Sequence, residues 1–121
     1  MVIAILAGEL FLGEAEGRLN GAGTLTIHSQ KTPDITCIGQ FTSSAELGGK
    51  GQLRCSDGSS AMFHFQRLSI WNGHGAGTFS RGAMSFSYGL TAGEAAAYLK
   101  VPKGKKLAHA GKEMALVDLP D

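Results

Sequence analysis

Gly73-His74-Gly75-Ala76-Gly77-Thr78-Phe79-Ser80-Arg81-Gly82-Ala83-Met84-Ser85-Phe86-Ser87-Tyr88 places three glycines and Phe79 at odd positions, then Met84, Phe86 and Tyr88 at even ones. A period of two is the signature of a strand, and the switch of parity across the middle is that of a hairpin. Facing residues of an antiparallel pair must share a face, so loop length decides whether the core turns inward or outward. A two-residue Arg81-Gly82 turn keeps the rings inside, which predicts Phe79 opposite Met84, Gly77 opposite Phe86 and Gly75 opposite Tyr88. Aromatic rings face glycine.

The same unit recurs towards the N-terminus. Gly21-Ala22-Gly23-Thr24-Leu25 and Gly49-Lys50-Gly51-Gln52-Leu53 match Gly75-Ala76-Gly77-Thr78-Phe79, spaced by 28 and 26 residues, which suggests a repeated hairpin. A three-residue Leu19-Asn20-Gly21 loop sets Ala15 against Leu25 and puts Gly21 at the left-handed position of a bulged turn. Ser56-Asp57-Gly58 does the same, placing Leu53 opposite Ala61 and Gly51 opposite Phe63. Seven strands follow, near residues 9 to 18, 22 to 29, 34 to 42, 50 to 55, 60 to 67, 74 to 80 and 83 to 90.

The 18 glycines are about twice the usual share, and many lie where a neighbouring strand carries an inward ring. A strand without side chains beside one with rings lets a small, strongly curved sheet close. The expected fold is therefore mainly β: a small antiparallel meander barrel of about seven strands with a filled aromatic core. Phe11, Phe41, Phe63, Phe65, Phe79, Phe86 and Tyr88 all take the inward parity, so a large ligand cavity is not expected. The outward positions carry Thr, Gln and Ser, interrupted by Leu12, Ile38 and Met62.

A chain of 121 residues with 43% hydrophobic and 17% charged residues is one domain with a core, not a disordered polymer. The net charge of +1 falls short of a dedicated nucleic-acid binder. Met1 to Gly8 is apolar but lacks a basic start and is too short for a signal peptide or a membrane span. The default address is cytoplasmic, or exported if a leader once preceded the chain. After Leu90, Thr91 and Glu94 form a capping-box pattern that starts a short helix near 92 to 100. The domain is expected over residues 1 to 102, with 103 to 121 a basic linker and tail. Within that tail, Met114 to Leu119 would dock on an edge or on another copy of the chain, or stay loose.

Cys37 and Cys55, the only two cysteines, fall directly across from each other if the intervening loop centres on Glu46. Ordinary cross-strand spacing exceeds disulfide spacing, so the pair is open between two reduced core thiols and a bridge. No close ligand pairs support zinc, and no motif implies a cofactor. His28, His64, His74 and His109 are scattered, no serine lies in a nucleophile elbow, and Asp57 is accounted for by its turn. Gly73-His74-Gly75-Ala76-Gly77 leads into a strand rather than a helix, so barrel packing explains it better than phosphate binding. Trp71, the lone tryptophan, either folds back with Ile70 to cap the barrel or anchors a partner. Trp71, His74, Lys103, Lys105 and Lys106 are the candidate contact residues.

Cys37-Ile38-Gly39-Gln40-Phe41, Gly49-Lys50-Gly51-Gln52-Leu53-Arg54-Cys55-Ser56-Asp57-Gly58 and Gly73-His74-Gly75-Ala76-Gly77-Thr78 resemble an uncharacterised bacterial family of small glycine-rich β-barrel domains over roughly residues 35 to 90. The resemblance implies the fold and a bacterial source, and carries over no catalytic residue. Members of that family often follow an export or lipoprotein signal. The expected function is a binding or assembly module without catalysis, with a protein partner or self-association, no nucleic acid and no membrane span. One alternative is a small hydrolase-like enzyme using a loop histidine with Ser or Asp. The other is a weak nucleic-acid or phosphate binder acting through the C-terminal lysines.

Overall fold

The computed structural model describes residues 1–18, 20–44, 48–69, 71–110 and 113–119. In chain order the strands are β1 (Val2–Leu6), β2 (Glu9–Gly17), β3 (Ala22–Ser29), β4 (Thr36–Ser44), β5 (Gly48–Cys55), β6 (Ser60–Arg67), β7 (Gly73–Phe79) and β8 (Gly82–Tyr88). Each pairs antiparallel with the next and β8 returns to β1, so the sheet is a closed barrel without interior edges. A one-turn helix α1 (Ala92–Ala95) follows, then a hairpin of β9 (Lys105–Ala110) and β10 (Glu113–Asp118).

The registers expected from parity are present in three hairpins: Ala15 opposite Leu25, Leu53 opposite Ala61 with Gly51 opposite Phe63, and Cys37 opposite Cys55. Gly21 and Gly58 take the left-handed backbone their turns require, at φ 89° and 90°. In the last hairpin the parity holds but the turn is Ser80-Arg81, not Arg81-Gly82. Phe79 therefore faces Gly82, Gly77 faces Met84, Gly75 faces Phe86 and Gly73 faces Tyr88. The Tyr88 ring fills the space beside Gly73, where a Cβ would lie 2.5 Å from its hydroxyl oxygen.

The barrel has eight strands, the additional one being β1. Its five residues are all buried because both faces are covered. Val2, Ala4 and Leu6 point into the barrel, and Ile3 and Ile5 point outward into a second cluster with Leu10, Leu90, Ala95, Leu99 and Met114. A strand buried on both faces shows no alternation, and so no period of two. Leu12 packs against this same outer cluster, whereas Ile38 and Met62 stay 61% and 69% exposed.

The stretch after Pro102, read as a linker, contains β9. Leu107, Met114 and Leu116 of the hairpin pack with the outer cluster, so the apolar residues near the end dock on the barrel's own outer face. The helix is shorter than 92 to 100 but begins as expected: the Thr91 hydroxyl accepts from the Glu94 N–H, and Glu94 reaches back to the Thr91 N–H. A Cβ at Gly93, inside that helix, would meet nothing within 4 Å. Gly93→Ala is accordingly expected to raise unfolding stability by up to about 1 kcal/mol, the helix-propensity difference, measured as a higher urea midpoint with an unchanged slope.

Candidate functional site

The two ends of the barrel differ. At one end the Cys37–Cys55 disulfide, 18 residues apart in sequence, joins β4 to β5, with Leu6, Phe11 and Phe79 buried in the same core. Above it the Arg81 guanidinium lies 5.2 Å from the Phe79 ring centroid and 3.3 Å from an Asp57 carboxylate oxygen. The Asp57 carboxyl is held below its ordinary range, first by the Ser59 hydroxyl, then by the Ser59 N–H, with a smaller contribution from Arg81. This end is closed.

The other end, where β2 hands over to β3 and β6 to β7, is open. A cavity of about 620 Å³ enters the barrel there, within the range usual for small-molecule sites. The rings do cluster as expected: Phe63 meets Phe86 edge-on at 5.0 Å, Phe41 meets Phe65 at 5.7 Å, and Tyr88 meets Phe65 at 6.0 Å. They belong to β4, β6 and β8, however, and the facing lining from β1 to β3 is Val2, Ala4, Ala15, Leu25 and Ile27. Small side chains opposite large ones leave the cavity that the alternation did not predict.

Its mouth is polar. Arg67 is half-buried, and its Nη2 donates to the Ser43 hydroxyl at 3.0 Å, which in turn donates to the Gly21 carbonyl at 3.2 Å. Arg18 lines the same mouth. The Tyr88 phenol is pushed above its ordinary range by burial, an effect that the nearby positive charge of Arg67 opposes. Trp71 also lines the cavity yet remains 78% exposed. Its backbone N–H donates to the Ser69 hydroxyl at 3.0 Å, and that hydroxyl donates to the Asn72 side-chain carbonyl at 2.9 Å, which fixes the β6–β7 turn.

The chain matches no protein-family model, no curated protein and no solved structure.

Among the candidates from sequence, Trp71 stands at the mouth with its side chain largely in solvent; Ile70 lies outside the described residues. His74 is on β7 opposite Gln66 and Ser87, and its ring stacks on Tyr98 at 3.9 Å and 10°, so it faces the chain beyond α1 and not the cavity. Lys103, Lys105 and Lys106 are at the hairpin, where Lys105 pairs with Asp118. Lys105 borders a second space, of about 700 Å³, near the closed end with Lys31, Arg81 and Glu9. The structure thus does not bring the lysines to Trp71 and His74.

Among the described residues no hydrogen bond joins His64 or His74 to Asp57 or to a serine, and His28 bonds Thr36 at 3.0 Å. No three His, Cys, Asp or Glu side chains converge as a metal site among them either. Among the described residues no helix is long and apolar enough to cross a membrane. Sequence reasoning missed Arg18, and also Ser43 and Arg67, for which the alternation held a signal. Each of these two continues an inward alternation, Cys37-x-Gly39-x-Phe41-x-Ser43 and Phe63-x-Phe65-x-Arg67, and a polar or charged residue on the inward parity at a strand's end is the signal that was there to find.

Proposed function

We propose that the chain is a binding module whose barrel takes an apolar small molecule through its open end. The observation that carries this reading is the cavity of about 620 Å³ lined by aromatic and aliphatic side chains. Burial of apolar ligand surface at about 25 cal/mol per Å² supplies the affinity, and the few polar groups are confined to the mouth, the usual arrangement of such sites. The enzyme reading lacks a nucleophile–base pair in the cavity. The nucleic-acid reading would rest on lysines at the far end, one of them already paired.

The disulfide supports an oxidising compartment over the cytoplasmic default. Trp71 and Leu68, both exposed on the β6–β7 turn, support a contact with a partner at the same mouth.

The neutral dye N-phenyl-1-naphthylamine tests the cavity. Saturable one-to-one fluorescence enhancement is expected, weakened at least tenfold by Ala15→Phe, which places a ring in the cavity from an exposed wall position. No saturable binding, or binding indifferent to Ala15→Phe, would remove the proposal.

A further inference from the structure

Resting on that reading of the cavity, we infer that its ligand is a single-chain amphiphile with an anionic head, the chain inside the barrel and the head at Arg67 and Arg18. Among the described residues, the lining holds two guanidinium groups and no carboxylate. Arg67 is half-buried and, among the described residues, its charge has no carboxylate within ion-pair distance; the one side-chain bond it makes is to the neutral Ser43 hydroxyl. A guanidinium has five N–H donors in a fork that matches a carboxylate or phosphate. A partly desolvated cation without a counter-ion is costly, and an anion arriving there removes the cost.

The acids nearest Arg18 in sequence do not fill that role. Glu14 and Glu16 alternate with the cavity-lining Ala15 and Gly17 on β2, are exposed, and Glu14 pairs with the N-terminal amine at 3.4 Å. Tyr88, which lines the same mouth, adds a neutral phenol whose hydroxyl can donate to an anion. Below this polar ring the lining is Val2, Ala4, Leu25, Phe63 and Phe86, suited to methylene groups. The site therefore has a charged entrance and an apolar depth, and only a molecule with the same two parts satisfies both.

The test uses the full chain and four probes of one length, each below its micelle concentration: dodecanoate, dodecyl phosphate, dodecanol and dodecylammonium. Trp71, the single tryptophan, at the mouth, reports occupancy by intrinsic fluorescence, with calorimetry as a second readout. The expected result is that at least one anionic probe binds tenfold or more tighter than dodecanol, as befits a charge-assisted hydrogen bond, and that dodecylammonium binds weakest. Comparison of the two anions tells carboxylate from phosphate recognition.

Arg67→Gln is expected to lower the ratio of anion to dodecanol affinity at least tenfold, bringing the anion down towards the level of dodecanol. Arg18→Gln, at an exposed position, repeats the comparison with a smaller loss should the first variant not fold. If dodecanol and both anions bind the wild-type chain equally, the head-group inference fails and the cavity reading stands. If no probe binds, both fail.

Discussion

Gly75→Val is expected to destabilise the barrel by about 3 kcal/mol or more, the upper range for forcing volume into a packed core, out of a total that for domains of this kind is about 5–15 kcal/mol. A Cβ at Gly75 would lie 2.6 Å from both Cε1 and Cζ of Phe86, and closer still to the His64 carbonyl oxygen. Phe86 packs edge-to-face on Phe63 and Phe65, so displacing its ring into the cavity breaks both contacts. The His64 carbonyl belongs to the backbone of β6, which β7 pairs against directly. The added side chain must therefore push one strand away from the other. Urea unfolding measures the loss, and Gly17→Val is the control, since a Cβ there meets nothing within 4 Å. Phe86→Leu in the same chain should recover part of the loss and not all of it, because the carbonyl remains. Equal losses at Gly75 and Gly17 would show that the glycines are not there to seat the rings.

Replacing Cys37 and Cys55 together with alanine is expected to cost about 3 kcal/mol, the chain-entropy value for a loop of 18 residues. The bridge joins two positions that the β4–β5 register already sets opposite each other. The folded barrel therefore keeps its circular dichroism when the bond is missing, and the loss shows in the denaturant midpoint. The wild-type chain should lose a similar amount in reductant, and the alanine variant should not respond to reductant at all. A wild-type midpoint that is the same with and without reductant would mean that the bond contributes nothing.

Parity made most of the barrel legible. Ala15 against Leu25, Gly51 against Phe63 and Cys37 against Cys55 follow from one requirement, that inward residues meet inward residues, and all three are present. Parity alone does not choose between registers two residues apart, and a glycine faces Tyr88 in both, which is why the Ser80-Arg81 turn was not legible. Alternation is likewise silent where both faces are covered, as for Ile3 and Ile5 of β1.

The cavity was illegible for a different reason. Parity says which way a side chain points and nothing about how far away the facing wall is, and the contrast between Phe63 and Phe86 on one side and Ala4 and Ala15 on the other needs the closed circuit of strands to be seen. Arg67 could have been recognised from its place two residues after Phe65. The C-terminal hairpin was hidden by its lysines: Lys105 and Lys106 are exposed, and only Leu107, Met114 and Leu116 reveal a docked face.

That the first strand is held by the last has a consequence for synthesis. Val2 finds its partner in Tyr88, so the N-terminal ribbon leaves the ribosome long before the wall it belongs to exists. At ordinary elongation rates it waits roughly 5–15 s with Ile3 and Ile5 uncovered, an interval in which a nascent-chain chaperone competes with self-closure. Moving that ribbon behind residue 88 by circular permutation would shorten the wait, and the yield of the permuted chain in cells lacking such chaperones would reveal how much the delay matters.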